Sequence, residues 1–273
     1  MKRIEANGIS FMTAKVGPTS ADHGPRLLYI SGTGGDLRQP NAGINLPLAE
    51  SYEMLSFDQR GLGQTDKPPG PYTMAGYAAD AAAVMDAYGW DRAHIVGYSF
   101  GGMVAQELAI QSPERIDKLV LGVTSAGGAG GSSFPLHSIQ SLPPRERALR
   151  AMEVSDLAFT PEWQAANPSQ AEERITARVA QVTRFADEPG HRDGEIAQLE
   201  GRSHHDTYDR LDQIKAPTLV FSGSRDGQAP RAAGEAMSVQ IPDCRFEVHE
   251  GSHAIIQENP DVCRSIMTFL GGA

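Results

Sequence analysis

The sequence predicts an α/β fold in which a mostly parallel β-sheet carries helices on both faces and is interrupted by a helical insertion. Short, nearly continuous apolar runs alternate with helical patterns, which is typical of strands buried on both sides of a parallel sheet. The alternation stops after Val123 and resumes near Ile214, and only helical periodicity lies between them. The 273 residues are a length that one large α/β fold can fill.

The predicted core strands are five apolar runs, most of them followed by a turn signal. They cover residues 26–30, 52–57, 94–97, 119–123 and 218–221. Thr73 is the predicted N-cap of a helix that continues to about Tyr88, because its hydroxyl can accept an N–H of the first turn. A second helix is predicted from Phe100 to about Gln111, and a last one begins at Pro260, a residue favoured at the first helical position.

The helical insertion follows a segment without side-chain bulk, since residues 126–133 consist only of Gly, Ala and Ser. Beyond it, Ile175, Val179 and Val182 recur on one helical face. We therefore predict an α/β core from residues 1–127 and 212–273 and a helical cap from residues 128–211. An insertion after a sheet strand can roof a site at the carboxyl ends of the strands.

The composition excludes several classes of function. A formal net charge of −10 argues against nucleic acid and against anionic membranes as partners, because both require clustered Lys and Arg. The two cysteines, Cys244 and Cys263, have neither disulfide-framework nor zinc spacing. The N-terminus has no apolar signal region, and no apolar run is long enough for a membrane span. We expect a cytoplasmic protein with a small-molecule substrate and no cofactor or metal, and a homodimer is one possible assembly.

Ser99 is the predicted nucleophile. Residues 97–101, Gly-Tyr-Ser-Phe-Gly, match the G-x-S-x-G pattern, which alone is a weak signal. Here it follows an apolar strand and opens a helix, the context in which a sharp turn lifts a serine hydroxyl out of the sheet. A Gly-rich turn without chemistry is the alternative interpretation.

A serine hydroxyl needs a base, and the base needs an acid that orients it. Asp226 comes just after the strand at 218–221, and His253 comes just after the next apolar run. Asp226 would accept a hydrogen bond from Nδ1 of His253, which leaves Nε2 to take the proton of Ser99. His249 lies inside the strand pattern and is interpreted as a packed or edge histidine.

These residues, in the order Ser, acid, His, resemble the α/β-hydrolase superfamily, and within it the lid-bearing esterases, 3-oxoadipate enol-lactonases and cofactor-free haloperoxidases. The turn at residues 58–63, Asp-Gln-Arg-Gly-Leu-Gly, is part of the resemblance, which covers nearly the whole core. It implies an eight-stranded sheet with a helical cap. It also disfavours epoxide hydrolases and haloalkane dehalogenases, which have Asp at the position of Ser99.

The resemblance implies an oxyanion hole made of two backbone N–H groups. One belongs to Phe100, the residue after the nucleophile. The other lies in the loop after the third strand, where family members often have His-Gly-x and this chain has Ser31-Gly32-Thr33. By position we assign Thr33 N–H, and Gly32 is a candidate for substrate contact. The replacement of His by Ser31 raises the question of what supports this loop.

Substrate choice is predicted to depend on the cap. His205, in the His204-His205-Asp206 run where the cap returns to the core, is a candidate for binding a polar substrate group, although surface histidine pairs are equally ordinary. The leading hypothesis is a serine hydrolase of small carboxylic esters or lactones. Carbon–carbon hydrolysis of β-diketone-like compounds with the same residues is the alternative, and a non-catalytic binding protein on this fold is a third.

Overall fold

The central sheet of the computed structural model, which describes residues 1–18 and 25–271, has eight strands. They are β1 (Lys2–Ala6), β2 (Ile9–Val16), β3 (Arg26–Ile30), β4 (Glu53–Phe57), β5 (Ala93–Tyr98), β6 (Ile116–Gly122), β7 (Thr218–Gly223) and β8 (Cys244–His249). Their order is β1-β2-β4-β3-β5-β6-β7-β8, and only the pairs β1–β2 and β2–β4 are antiparallel. The predicted eight-stranded, mostly parallel sheet is confirmed. Residues 19–24 and 272–273 of the predicted core lie outside the described residues.

The α-helices of the described residues are α1 (Met74–Ala87), α2 (Phe100–Gln111), α3 (Pro144–Ser155), α4 (Pro161–Ala166), α5 (Pro168–Thr183), α6 (His191–Ser203), α7 (Arg231–Gln240), α8 (Ile255–Glu258) and α9 (Pro260–Leu270). Thr73 caps α1 as its sequence predicts, because its Oγ1 accepts the N–H of Gly76 at 3.0 Å. Helices α2 and α9 also begin at the residues predicted for them. None of the helices in the described part is long and apolar enough to cross a membrane.

Apolar side chains from both faces of the sheet form the core. Helices α1, α2 and α7 cover one face with residues such as Val84, Val104 and Met237, all fully buried. Helix α9 covers the other face through Val262 and Ile266. Each such side chain stabilises the fold by about 1.5–3 kcal/mol when it is removed from water. The packed helices therefore hold the sheet firmly in place.

Helices α3 to α6 lie between β6 and β7 and form what we call the helical insertion, a stretch that contains no strand. Its own apolar cluster is small, with Phe159, Ala171 and Ile175 buried together. The helical nature of this stretch agrees with the sequence analysis, and the bounds at residues 128 and 211 stay a prediction.

The parallel strands bring the predicted site residues to one edge of the sheet. Ser99 follows β5, Asp226 follows β7 and His253 follows β8. The loop of residues 31–35 follows β3, and the chain enters the helical insertion after β6. Because the carboxyl ends of parallel strands share an edge, segments far apart in the sequence meet there.

Candidate active site

Ser99 occupies the tight turn between β5 and α2. Its backbone has φ 56° and ψ −117°, a conformation that non-glycine residues rarely adopt. The turn is held because Ser99 N–H donates to the carbonyl of Gly122 at 2.8 Å and its own carbonyl accepts the N–H of Gly102 at 2.9 Å. The side chain is thereby lifted from the sheet into a cavity, with the residue 6% exposed.

Gly97 and Gly101, two residues before and after Ser99, lie where no side chain would fit. A Cβ on Gly101 would lie 2.0 Å from the carbonyl oxygen of Ile30, and one on Gly97 would lie 2.5 Å from the carbonyl oxygen of Gly101. The start of α2 therefore packs directly on β5 and the end of β3. This contact explains why the G-x-S-x-G spacing and this turn go together.

His253 connects Ser99 to Asp226 through its two ring nitrogens. Nε2 lies 2.9 Å from Oγ of Ser99, and Nδ1 lies 2.8 Å from Oδ2 of Asp226. Because a carboxylate can only accept, Nδ1 carries the proton and Nε2 offers its lone pair. The other oxygen of Asp226, a residue 3% exposed, accepts the N–H groups of Gln228 and Ala229 at 2.8 and 2.9 Å. The structure thus brings the three predicted residues together.

The backbone of His253 is fixed on both sides. Its N–H donates to the carbonyl of Ser155 at 2.8 Å, at the end of α3. Its carbonyl accepts the hydroxyl of Tyr98 at 2.5 Å. Core and helical insertion therefore both set the position of the imidazole.

Gln228 is a polar neighbour of the imidazole that sequence reasoning missed. Its side-chain amide lies 2.6 Å from Nε2 of His253, the nitrogen that also faces Ser99. Gln228 lies two residues after Asp226 and lines the cavity. In the sequence, its position two residues after the predicted acid Asp226 is the only signal that could have identified Gln228 as a site residue.

The loop of residues 31–35 passes directly beside the nucleophile. A Cβ built on Gly32 would lie 3.3 Å from Cβ and 3.8 Å from Oγ of Ser99, so glycine permits the close approach. Gly32 and Thr33 both line the cavity, and the substrate contact of Gly32 and the oxyanion role of Thr33 stay predictions. In the described part of the chain, neither Thr33 N–H nor Phe100 N–H donates to a group of the protein. Phe100 begins α2, where backbone N–H groups carry partial positive charge.

Two glutamines support this loop, which answers the question raised by Ser31. Gln59 donates from Nε2 to the carbonyl of Ser31 at 2.8 Å. Gln198, from α6, accepts the N–H of Gly34 at 2.9 Å with its Oε1. Gln198 is fully buried, and its Nε2 has no partner among the described residues. No local sequence pattern indicates a role for Gln198, because it lies far from the loop along the chain.

A cavity of about 440 Å³ lies between the sheet edge and the helical insertion. This size suits a small organic molecule. Ser99, Thr33 and His253 line it from the core, and Leu136 and Ile139 from the segment before α3. No group of three or more His, Cys, Asp and Glu side chains in the described part of the chain is arranged to hold a metal ion.

The prediction for His205 is wrong, because its ring does not line the cavity. His205 is 7% exposed, and its Nε2 lies 3.1 Å from the carbonyl of Ser125. The insertion returns to the core beside the segment where it left, so His205 packs against that exit. Burial lowers the pKa of this imidazole to about 4, and the ring therefore serves as a neutral packing group.

Comparison with known proteins agrees with this architecture. The family model for the alpha/beta hydrolase fold matches residues 25–260. RutD of Azorhizobium caulinodans, a candidate carbamate hydrolase, is 29% identical over 257 residues, which cover 91% of this chain and 92% of that protein. The 3-oxoadipate enol-lactonase 2 of Acinetobacter baylyi is 26% identical over 243 residues, with 86% and 84% covered.

Among solved structures, the enol-lactonase of Burkholderia xenovorans LB400 superposes with a TM-score of 0.79 at 23% identity and covers 99% of this chain and 100% of its own. A meta-cleavage product hydrolase of Pseudomonas fluorescens IP01 superposes with a TM-score of 0.77 at 21% identity, with 99% and 97% covered. At such identities the superpositions establish the fold. The family match over most of its length shows that this chain belongs to the α/β-hydrolase family.

Proposed function

We propose that this protein hydrolyses small carboxylic esters or lactones through an acyl-enzyme intermediate on Ser99. The observation that carries the proposal is the hydrogen-bonded series from Asp226 through His253 to Ser99, with distances of 2.8 and 2.9 Å, at the wall of the cavity beneath the helical insertion. Such a series is what a serine hydroxyl needs to act as a nucleophile near neutral pH.

In the first half of the reaction, Oγ of Ser99 attacks the substrate carbonyl carbon while Nε2 of His253 takes the hydroxyl proton. The carbonyl oxygen becomes an alkoxide, which accepts hydrogen bonds from the N–H groups of Thr33 and Phe100. Collapse of this tetrahedral species breaks the bond to the leaving oxygen, which receives the proton from His253. In a lactone the leaving oxygen stays attached to the acyl chain.

In the second half, water attacks the acyl carbon and gives its proton to Nε2 of His253. The second alkoxide collapses, Oγ of Ser99 leaves with that proton, and a carboxylic acid is released. Asp226 keeps the ring in the correct tautomer throughout and stabilises the imidazolium that forms. Each N–H donor to the alkoxide is worth roughly 10²–10³-fold in rate by analogy with other acyl-transfer enzymes.

The test is the hydrolysis of a short p-nitrophenyl ester and of an unsubstituted lactone by the wild type and by Ser99→Ala. We expect turnover that Ser99→Ala lowers at least about 10³-fold, because the nucleophile is lost while the fold stays. Turnover that is undiminished in Ser99→Ala would remove Ser99 from the mechanism.

The same assay addresses the alternatives of the sequence analysis. Product analysis with a β-diketone substrate alongside the ester distinguishes carbon–carbon from ester cleavage, since both reactions would use Ser99 and His253. Absence of turnover on every substrate, together with a Ser99 that does not react with a fluorophosphonate, would favour a binding protein on this fold.

A further inference from the structure

The cavity contains positive charge that the protein does not neutralise. The acidic side chains that line it are Asp36, Asp58, Asp156, Glu195 and Glu258. Each has a partner of its own: Asp36 pairs with Arg38 at 2.6 Å and Asp156 with Arg225 at 3.1 Å. Asp58 accepts two backbone N–H groups, Glu195 faces a histidine, and Glu258 accepts the N–H and hydroxyl of Ser252. These carboxylates are therefore already engaged.

Arg147 on α3 and Arg178 on α5 line the same cavity from the helical insertion. Within the described residues, neither guanidinium has an acidic side chain within 4.0 Å. Each is held by a neutral acceptor instead: Arg147 donates to Oε1 of Gln140 at 3.1 Å, and Arg178 donates to Oε1 of Gln181 at 2.8 Å. An amide oxygen fixes the direction of a guanidinium without cancelling its charge.

Arg174 shows what a neutralised arginine in the same wall looks like. It pairs with Asp156 at 3.5 Å, and its guanidinium lies over the ring of Phe159 at 4.5 Å. Arg147 and Arg178 have no such acid among the residues that the structure describes, although the chain as a whole carries a net charge of −10. Their lack of an acidic partner is thus a local property of this cavity.

The two guanidinium groups also carry like charge and line the same side of the cavity. Burial and the like charge of Arg147 both lower the pKa of Arg178. Two half-buried like charges without an acidic partner are unfavourable, and an anion bound by both would offset that penalty. The arrangement is therefore one that a bound anion completes.

We infer that Arg147 and Arg178 bind a carboxylate group of the substrate, so that the preferred ester or lactone is one whose acyl part carries a free carboxylate. The planar fork of a guanidinium matches the two oxygens of a carboxylate. The anchored carboxylate would hold the acyl chain across the cavity while its carbonyl lies at Ser99. This inference rests on the proposed function, because the carboxylate that Arg147 and Arg178 bind belongs to the ester or lactone that Ser99 attacks in the same cavity.

The test compares two p-nitrophenyl esters of equal length, one of which ends in a carboxylate and the other in a carboxamide. Mono-p-nitrophenyl adipate and its adipamide counterpart are such a pair, and the glutarate and suberate pairs vary the spacing. We expect the wild type to hydrolyse the best carboxylate ester with a kcat/KM at least about 10-fold above its carboxamide match, as hydrogen bonds to a charged group allow.

Arg147→Gln and Arg178→Gln should each lower kcat/KM for the carboxylate ester by about 10–100-fold, mainly through KM, since the interaction is with a bound group rather than the reacting carbonyl. The carboxamide ester should change by about 2-fold or less, and the double variant should lose the preference. Arg150→Gln is the matched control, because Arg150 lies on α3 but pairs with Glu153 on the surface. Arg147→Lys and Arg178→Lys should retain part of the preference, because the positive charge stays.

Equal kcat/KM for the two esters at every chain length would overturn the inference, as would equal losses on both esters in the glutamine variants. Ser99-dependent hydrolysis of the carboxamide ester would still support the proposed function in that case. If no ester is hydrolysed, calorimetry of adipate with Ser99→Ala decides the anion site separately. Binding that Arg147→Gln and Arg178→Gln weaken at least about 10-fold would support it, and no binding would overturn it.

Discussion

The sheet core and the helical insertion are built in different ways. In the core, helix α2 has ten consecutive buried residues from Phe100 to Ala109, and large apolar clusters cover both faces of the sheet. In the insertion, α3 has one buried residue and α5 has two. Surface ion pairs such as Arg145–Glu172 connect the helices of the insertion instead, and such exposed pairs contribute little to stability.

This difference separates two tasks. The core holds the side chains of the reacting groups, because Asp226 and His253 have a core partner for each polar side-chain atom that faces the protein. Within the described residues, the insertion presents a buried polar atom at the cavity that lacks a hydrogen-bond partner, Nε2 of Gln198. Because a buried polar group without a partner is costly, this atom indicates where a ligand contributes the missing contact.

The largest effect that the comparison predicts comes from the core. His253→Ala should lower kcat on any ester by roughly 10⁴-fold or more, because base and proton donor are lost together. His204→Ala, at an exposed position, should leave kcat within about 2-fold of the wild type. Steady-state kinetics on a carboxamide-ended ester, with circular dichroism to confirm folding, measures both. A His253→Ala enzyme with nearly full activity would show that the core does not supply the base.

The next effect concerns packing. Leu121→Ala, at a fully buried position of β6, should lower the free energy of unfolding by about 2–5 kcal/mol. The same substitution at Leu157, which is 58% exposed in the insertion, should cost about 0.5 kcal/mol or less. Urea denaturation of the two variants gives the comparison. Equal losses would mean that the insertion is packed as tightly as the core.

A third effect tests the junction between the two regions, where His205 is buried. Its pKa of about 4 in the folded protein lies below the ordinary value of 6.5, so the unfolded chain binds the proton first as pH falls. Stability should therefore decline between pH 6.5 and about 4, by about 3 kcal/mol in total at 1.36 kcal/mol per pH unit.

The measurement is urea denaturation from pH 7 to pH 4 for the wild type, His205→Gln and His204→Gln. The decline should be smaller in His205→Gln than in the wild type, and His204→Gln should behave like the wild type because that side chain is exposed. Parallel curves for all three proteins would show that His205 is not the group that is protonated on unfolding.

The smallest effect concerns the contact by which the insertion supports the core loop. Gln198→Leu removes the acceptor of Gly34 N–H, so Thr33 N–H should be less well placed and kcat should fall about 10-fold, less than for the loss of an oxyanion donor itself. Gln198→Glu keeps an acceptor at this position and should recover most of kcat. Equal loss in both variants would assign the effect to general packing rather than to the loop.

Much of the core followed from local patterns. The apolar strand pattern before Ser99 and the helical pattern after it are enough to predict the turn at Ser99. Asp226 and His253 follow β7 and β8, and the parallel pairing of these strands places both residues at the same sheet edge. Thr73 and Pro260 likewise mark helix starts by their own chemistry. Elements of this kind depend on only a few neighbouring residues, so they can be predicted from the sequence alone.

The cavity wall could not be predicted in the same way. His205 was expected there and packs against Ser125 instead, whereas Gln198, Arg147 and Arg178 carried no motif. Their places depend on how α3, α5 and α6 pack over the sheet, which is a matter of long-range contacts rather than of residue spacing. Helical periodicity shows which face of such a helix is apolar, but not which polar side chain meets a cavity.

The central claim is that Ser99 is the nucleophile activated by His253, and labelling with a fluorophosphonate tests it most directly. Mass spectrometry of the intact protein and of its peptides should show one adduct, on Ser99, with none in Ser99→Ala and much slower formation in His253→Ala. An adduct on another residue, or a wild-type protein that forms none, would contradict the account.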